Sequence, residues 1–229
     1  MLALIHTSPV HVPVFDALRD EHHRGLELRH FVDEGLLERA RGDGGPEAVA
    51  AEVRAAVERA VADGARAVLC TCSTIGAVAE ATAVGAGVPV LRVDRPMAAA
   101  AVAAGARVAV LGTVESTLGP TAALVEEEAR RAGRSVEVRT VLVAGAWAHF
   151  AAGDTDAYAR AVAYAVDGVR GADAIVLAQA SMAPAQRLAT TPVPVLSSPR
   201  PGLAAAAVAV TGAPGGSVAH PAASPDTSG

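Results

Sequence analysis

A chain of 229 residues, 52% of them hydrophobic, suits one large domain or two small ones. Its formal net charge of -5, with every one of the 19 basic residues an arginine, argues against nucleic acid as a main partner. With aromatics at 3% the core must be built mainly from Ala, Val and Leu, and the cysteines lack metal-type spacing, so free thiols in a reducing cytoplasm and no metal site are expected.

In chain order, strand and helix alternate. Residues 2–6 read as a buried strand closed by the turn Thr7-Ser8-Pro9, residues 14–24 as a helix and 26–32 as a second strand. Gly42-Asp43-Gly44-Gly45-Pro46 is a loop, and Pro46 suits the first position of a helix. Residues 47–63 carry Val49, Val53, Val57 and Val61 at four-residue spacing, an apolar helix face with Glu and Arg opposite. A strand over 65–70, a helix over 75–84 and a strand over 88–93 follow. Residues 97–106 are apolar but short of the roughly 20 needed to span a bilayer, and no basic export segment opens the chain, so no membrane partner is expected. Strands over 107–111, 135–143, 174–177 and 193–196, with helices over 121–132 and 154–169, complete the alternation. It implies an α/β fold of parallel sheets covered by helices on both faces. Residues 212–229, rich in Gly, Pro, Ser and Ala, are expected to be a flexible tail.

The stretch Val68-Leu69-Cys70-Thr71-Cys72-Ser73-Thr74-Ile75-Gly76 holds both cysteines at the end of a predicted strand. In open α/β sheets ligands gather outside the carboxyl ends of strands. A helix N-terminus there offers free N–H groups that suit an anion and lower a nearby thiol's pKa. Cys72, Ser73 and Thr74 therefore read as a thiol beside an anion cradle; a buried strand-end cysteine is the alternative, and it fits Cys70 better.

An internal repeat sharpens the architecture. Residues 2–7 lie over 108–113, 64–72 over 171–179, and Val88-Pro89-Val90-Leu91 with Arg95-Pro96 over Val193-Pro194-Val195-Leu196 with Arg200-Pro201, all at a nearly constant spacing. Two similar halves follow: residues 1–96 plus 201–211, and residues 97–200, related by a pseudo-two-fold axis. Their strand ends would face one cleft, with Cys72 opposite Gln179 and Thr7 opposite Thr113, and clefts of this kind favour small-molecule sites.

These residues resemble the aspartate/glutamate racemase superfamily, which includes hydantoin racemases, maleate isomerases and arylmalonate decarboxylases. The resemblance covers nearly all of residues 1–210 and rests on Ile5-His6-Thr7-Ser8-Pro9-Val10, Cys72-Ser73-Thr74-Ile75-Gly76, Val93-Asp94-Arg95-Pro96-Met97, Leu111-Gly112-Thr113 with Ser116-Thr117, and residues 176–182. It implies two flavodoxin-like domains with the active site between them, and proton transfer at a Cα by two thiols with no cofactor. It places Cys72 on the first catalytic cysteine. The second falls on Gln179, whose amide is neither acid nor base near neutral pH, and Ser181, two residues on, is a poor substitute. Superfamily members with one thiol decarboxylate malonate-type acids or isomerise double bonds, though the decarboxylases retain the second cysteine rather than the first.

The resulting expectation is a cofactor-independent isomerase, or a related lyase, acting on a small carboxylate. Cys72 is the acid/base or nucleophile; Thr7, Ser8, Ser73, Thr74, Thr113, Ser116, Thr117, Gln179, Ala180 and Ser181 are candidates for holding substrate. A small-acid-binding protein without catalysis is the alternative from another class. His6 is either a second acid/base facing the cleft or a hydrogen-bonded structural histidine. His22 and His23 point apart on their helix, Asp94 and Arg95 either orient substrate or, as the better fit, form a structural ion pair at the domain crossing, and residues 126–131 read as a solvated helix face. Trp147, His149 and Phe150 pack or supply an apolar wall to the pocket. The reading leaves a homo-oligomer open.

Overall fold

The computed structural model describes residues 1–212. Eight strands form two sheets: β1 (Leu2–His6), β2 (Leu28–Val32), β3 (Ala67–Cys70) and β4 (Val90–Arg92), then β5 (Arg107–Gly112), β6 (Glu137–Leu142), β7 (Ala174–Leu177) and β8 (Val195–Ser197). The orders are β2-β1-β3-β4 and β6-β5-β7-β8, every pairing parallel. The second sheet repeats the first term for term, as the sequence repeat implies. The central strands β1, β3 and β7 are buried at every residue, which is why they read as unbroken apolar runs.

The helices are α1 (Val12–His22), α2 (Gly35–Arg41), α3 (Ala50–Ala62), α4 (Gly76–Ala81), α5 (Ala83–Ala86), α6 (Arg95–Ala104), α7 (Glu115–Arg131), α8 (Ala146–Ala151), α9 (Thr155–Asp167) and α10 (Pro199–Gly212), with short 3-10 segments at Pro9–His11, Gly45–Val49 and Ala180–Arg187. On one face of the second sheet, Met97, Ala98, Ala101 and Val102 of α6 and Leu124 and Val125 of α7 pack on Val108, Val110 and Val176. On the other, Tyr158, Val162 and Val166 of α9 cover Ala109, Leu111, Ile175 and Leu177. The first sheet has Phe15 of α1 and Leu203, Ala206 and Val210 of α10 against Leu2, Leu4 and Leu69, with Val57 and Ala60 of α3 behind Ala3, Ile5 and Val68. The helices after β4 and β8 are thus exchanged: α6 leaves the first sheet to cover the second, and α10 returns from the second to cover the first.

Three expectations are corrected. The helix expected over 75–84 breaks, because Val84 and Gly85 leave helical geometry, and α4 has only 6 residues. So short a helix adds little dipole to the anion cradle, since the effect comes from aligned peptide units. On α3, Ala60 rather than Val61 is buried. Four-residue spacing overshoots the 3.6-residue turn by about 40° each step, so the fourth valine rotates off the face. Helix α7 begins six residues earlier than expected, at Glu115. Pro120, its sixth residue, gives up one helical hydrogen bond, to the Ser116 carbonyl. Apart from Gly212, the expected tail lies outside the described residues.

Candidate active site

The carboxyl ends of the two sheets meet at a cavity of about 70 Å³, room for several waters or a small acid. Its wall draws on both halves: Thr7, Ser8, Thr71, Cys72, Ser73 and Thr74 from the strand ends of the first, and Thr117, Ala178, Gln179, Ala180 and Ser181 from the second. Cys72 and Gln179 share this cavity, each just beyond its strand, β3 and β7. Eight of the ten residues expected to hold substrate therefore line one space; Thr113 and Ser116 do not.

The Cys72 thiol is half-buried at the wall, whereas Cys70 is wholly buried, packs with Leu36, Val53 and Ile75, and donates to the Cys72 carbonyl at 3.6 Å. Burial pushes the Cys70 thiol well above its ordinary range, so it stays protonated. The Thr74 hydroxyl is buried in the wall without a hydrogen-bond partner among the described residues. An orphaned buried hydroxyl is costly, and a ligand oxygen in the cavity would relieve it.

Gln179 is fixed by its carbonyl end. Its Oε1 accepts from the Thr113 amide (2.7 Å), the Thr113 hydroxyl (2.9 Å) and the Val114 amide (3.3 Å). Backbone N–H groups only donate, so the oxygen must face them, and the Nε2 end is left without a partner among the described residues. Thr113 thus holds Gln179 rather than substrate. Behind it the Tyr158 hydroxyl contacts Thr113 Oγ1 (3.2 Å) and Ser181 Oγ (3.0 Å); burial raises the Tyr158 pKa, so the phenol keeps its proton. Tyr158 gave no sign of this role in the sequence, where it reads as one more apolar position of a helix.

His6 does not line the cavity. The Thr71 hydroxyl donates to the Ile5 carbonyl (3.0 Å) and so accepts from His6 Nδ1 (2.8 Å). His6 Nε2 then accepts from His30 Nδ1 (2.8 Å), whose Nε2 faces Asp16 at 3.4 Å. Both ring nitrogens are spent, and burial, then the nearby His30 and His11, lower the His6 pKa to about 3. His6 is the hydrogen-bonded structural histidine of the two alternatives. The imidazole that reaches the wall is His11, five residues on, kept neutral by burial; it belongs to the same strand-end loop, and only its distance from the strand hid it.

Ser116 accepts from Arg41 Nε at 3.0 Å, a contact joining α2 of the first half to α7 of the second across the cleft mouth. Arg41 and Leu37 line the cavity, as do Trp147 and Phe150, whose rings stack at 4.9 Å as the apolar wall. Asp94 is buried and spent on Arg92 (2.7 and 2.9 Å). Arg95 bonds Glu80 of α4 (2.7 Å) and also meets Glu127 and Glu128 of α7, tying the halves together.

The sequence model of the Asp/Glu/hydantoin racemase family matches residues 11–207. None of the curated proteins matches the chain. Among solved structures, a glutamate racemase from Bacillus anthracis is similar at 17% identity and a TM-score of 0.68, covering 91% of this chain and 80% of that one. An allantoin racemase from Pseudomonas fluorescens is similar at 19% identity and a TM-score of 0.62, covering 92% and 90%. An arylmalonate decarboxylase is similar at 19% identity and a TM-score of 0.59, covering 97% and 96%. At these identities the likeness is one of fold.

Proposed function

This chain belongs to the Asp/Glu/hydantoin racemase family, and from that premise we propose that it is a cofactor-independent isomerase working at the α-carbon of a small carboxylate, with Cys72 as its acid/base. The observation that carries the reading is the shared cavity: a half-buried thiol on one wall and a fixed amide, Gln179, on the other. The Cys72 thiolate takes the Cα proton. Negative charge then moves onto the carboxylate oxygens, where Gln179 Nε2, the Thr74 hydroxyl and neighbouring N–H groups receive it; fixed donors of this kind lower the barrier because they need no reorganisation. His11 is the second group on the wall able to carry a proton.

One observation favours a lyase as the second reading. With an amide where a second thiol would stand, only Cys72 delivers a proton as a thiol. Loss of CO2 from a malonate-type acid leaves a carbanion that needs one such delivery.

The experiment is Cα–H exchange in deuterated water over a panel of small carboxylates, followed by NMR, with CO2 release measured in parallel. Cys72→Ala should lower exchange by about 100- to 10,000-fold, the usual worth of a positioned acid/base. Gln179→Cys should add or raise racemisation by restoring a thiol pair. Exchange that survives Cys72→Ala unchanged would rule out Cys72 and point to His11.

A further inference from the structure

We infer that the acid this cavity takes carries no free ammonium group on its α-carbon: its carboxylate pairs with Arg41 and its apolar substituent lies against Trp147 and Phe150. The inference deepens the carboxylate-site reading above and rests on it. It comes from a count of charges on the wall. Among the described residues that line the cavity, Arg41 is the one with a permanent charge, and none is Asp or Glu. The nearby Asp94 lies outside the wall and is already paired with Arg92.

Arg41 is itself uncommitted. Its Nε donates to Ser116, but no carboxylate pairs with its guanidinium among the described residues, unlike Arg39 two positions before it, which bonds Asp33 and Glu52. An arginine at a cavity mouth with both terminal nitrogens unused offers a carboxylate two parallel N–H bonds.

The neutral groups point the same way. An ammonium needs acceptors, and two of those on this wall are already occupied. Gln179 Oε1 already takes three donors. The Thr71 hydroxyl already accepts from His6. Gln179 Nε2 and the Arg41 terminal nitrogens remain as donors, while the unpartnered Thr74 hydroxyl can donate or accept. A zwitterionic amino acid would bring its cation to a wall that carries one cation and no carboxylate, and whose one anion, the Cys72 thiolate, must stay free to take the Cα proton. An acid with a hydroxyl, an acylated nitrogen or a second carboxylate in that place meets no such penalty. The stacked Trp147 and Phe150 offer the remaining substituent an apolar surface.

The test is calorimetric binding of isosteric pairs to the full chain: mandelate against phenylglycine, and lactate against alanine, each pair differing by hydroxyl for ammonium. Mandelate and lactate should bind at least about tenfold more tightly than their partners. Arg41→Met, a change at an exposed position, should weaken the hydroxy acids about 10- to 100-fold, the worth of a charge-assisted hydrogen bond. It should also flatten the loss of affinity with added salt. Equal or tighter binding of phenylglycine and alanine, no binding of any of the four, or mandelate binding indifferent to Arg41→Met would each overturn the inference. Proton exchange separates it from the function proposed above. If phenylglycine exchanges its Cα–H through Cys72 and mandelate does not bind, the chemistry stands and this substrate class falls. If mandelate binds through Arg41 and no acid exchanges, the substrate class stands and the chemistry falls.

Discussion

The His6 ring shows how one buried side chain ties the stability of the fold to pH. Its folded pKa is about 3 against an ordinary value of 6.5, with burial the first cause. Between those values the unfolded chain binds a proton that the folded chain refuses. Stability is therefore fully present above pH 6.5 and is lost as pH falls toward 3, at about 1.4 kcal/mol per pH unit for one proton. His6→Asn keeps an N–H for Thr71 and removes the titration. Urea unfolding at stepped pH should show the unaltered protein losing its advantage over the variant as pH drops through that window. His11, lowered by burial in the same direction, is present in both proteins and cancels. A stability difference that stays constant from pH 7 to 4 would mean that His6 is not held neutral. The sequence left His6 undecided for a physical reason: a histidine at a strand end has the same local pattern whether its ring turns to the cleft or to Thr71 and His30. Cys72 and Gln179 were legible because they follow short buried strands that leave little freedom in where they end. Arg41 was not, because nothing in GLLERAR distinguishes an arginine over a cavity from its solvated neighbour Arg39.

At the scale of elements, α10 shows what one glycine permits. A Cβ on Gly202 would lie 2.4 Å from the Val93 carbonyl oxygen, so only glycine lets α10 approach the end of β4 this closely. A Cβ on Gly119, on the exposed side of α7, would meet no atom within 4 Å beyond its own stretch of the helix. Gly202→Ala should therefore destabilise by about 1–3 kcal/mol, as overpacking does. Gly119→Ala should change stability by less than about 1 kcal/mol, because the helix propensity gained is offset by crowding of the new Cβ against the Pro120 ring that follows it. Denaturant midpoints of the two variants check the pair; equal shifts of the same sign would contradict the packing described. Helices with mixed faces, α3 and α9, were legible from periodicity. Helices α6 and α10 were not: RPMAAAAVAA and PRPGLAAAAVAVTG are apolar nearly all round and carry no 3.6-residue signal. Pro96 and Pro201, beside the expected boundaries between the halves, lie in the first turns of these two helices.

The exchange of α6 and α10 governs how the whole molecule unfolds. The chain cannot release one sheet without stripping a helix that follows directly from a strand of the other. Arg95, at the start of α6, adds bonds to Glu80 in the first half and to Glu127 and Glu128 in the second. The two halves should melt together even though each sheet has its own core. The single tryptophan, Trp147, lies in α8 beside the second sheet, so its fluorescence follows that half, while far-UV circular dichroism follows both. The two signals should give one coincident transition, the mark of all-or-none unfolding. A chain ending at Ser198 lacks Leu203, Ala206 and Val210, which are buried against the first sheet. At about 1.5–3 kcal/mol for burying a Leu or Val side chain, that loss removes much of a stability of roughly 5–15 kcal/mol. The truncation should therefore lower the Tm read by Trp147 as well as that read by circular dichroism, although the helix removed packs on the opposite half. A tryptophan transition left at its original temperature would show two independent units and a cleft free to open without cost to either sheet.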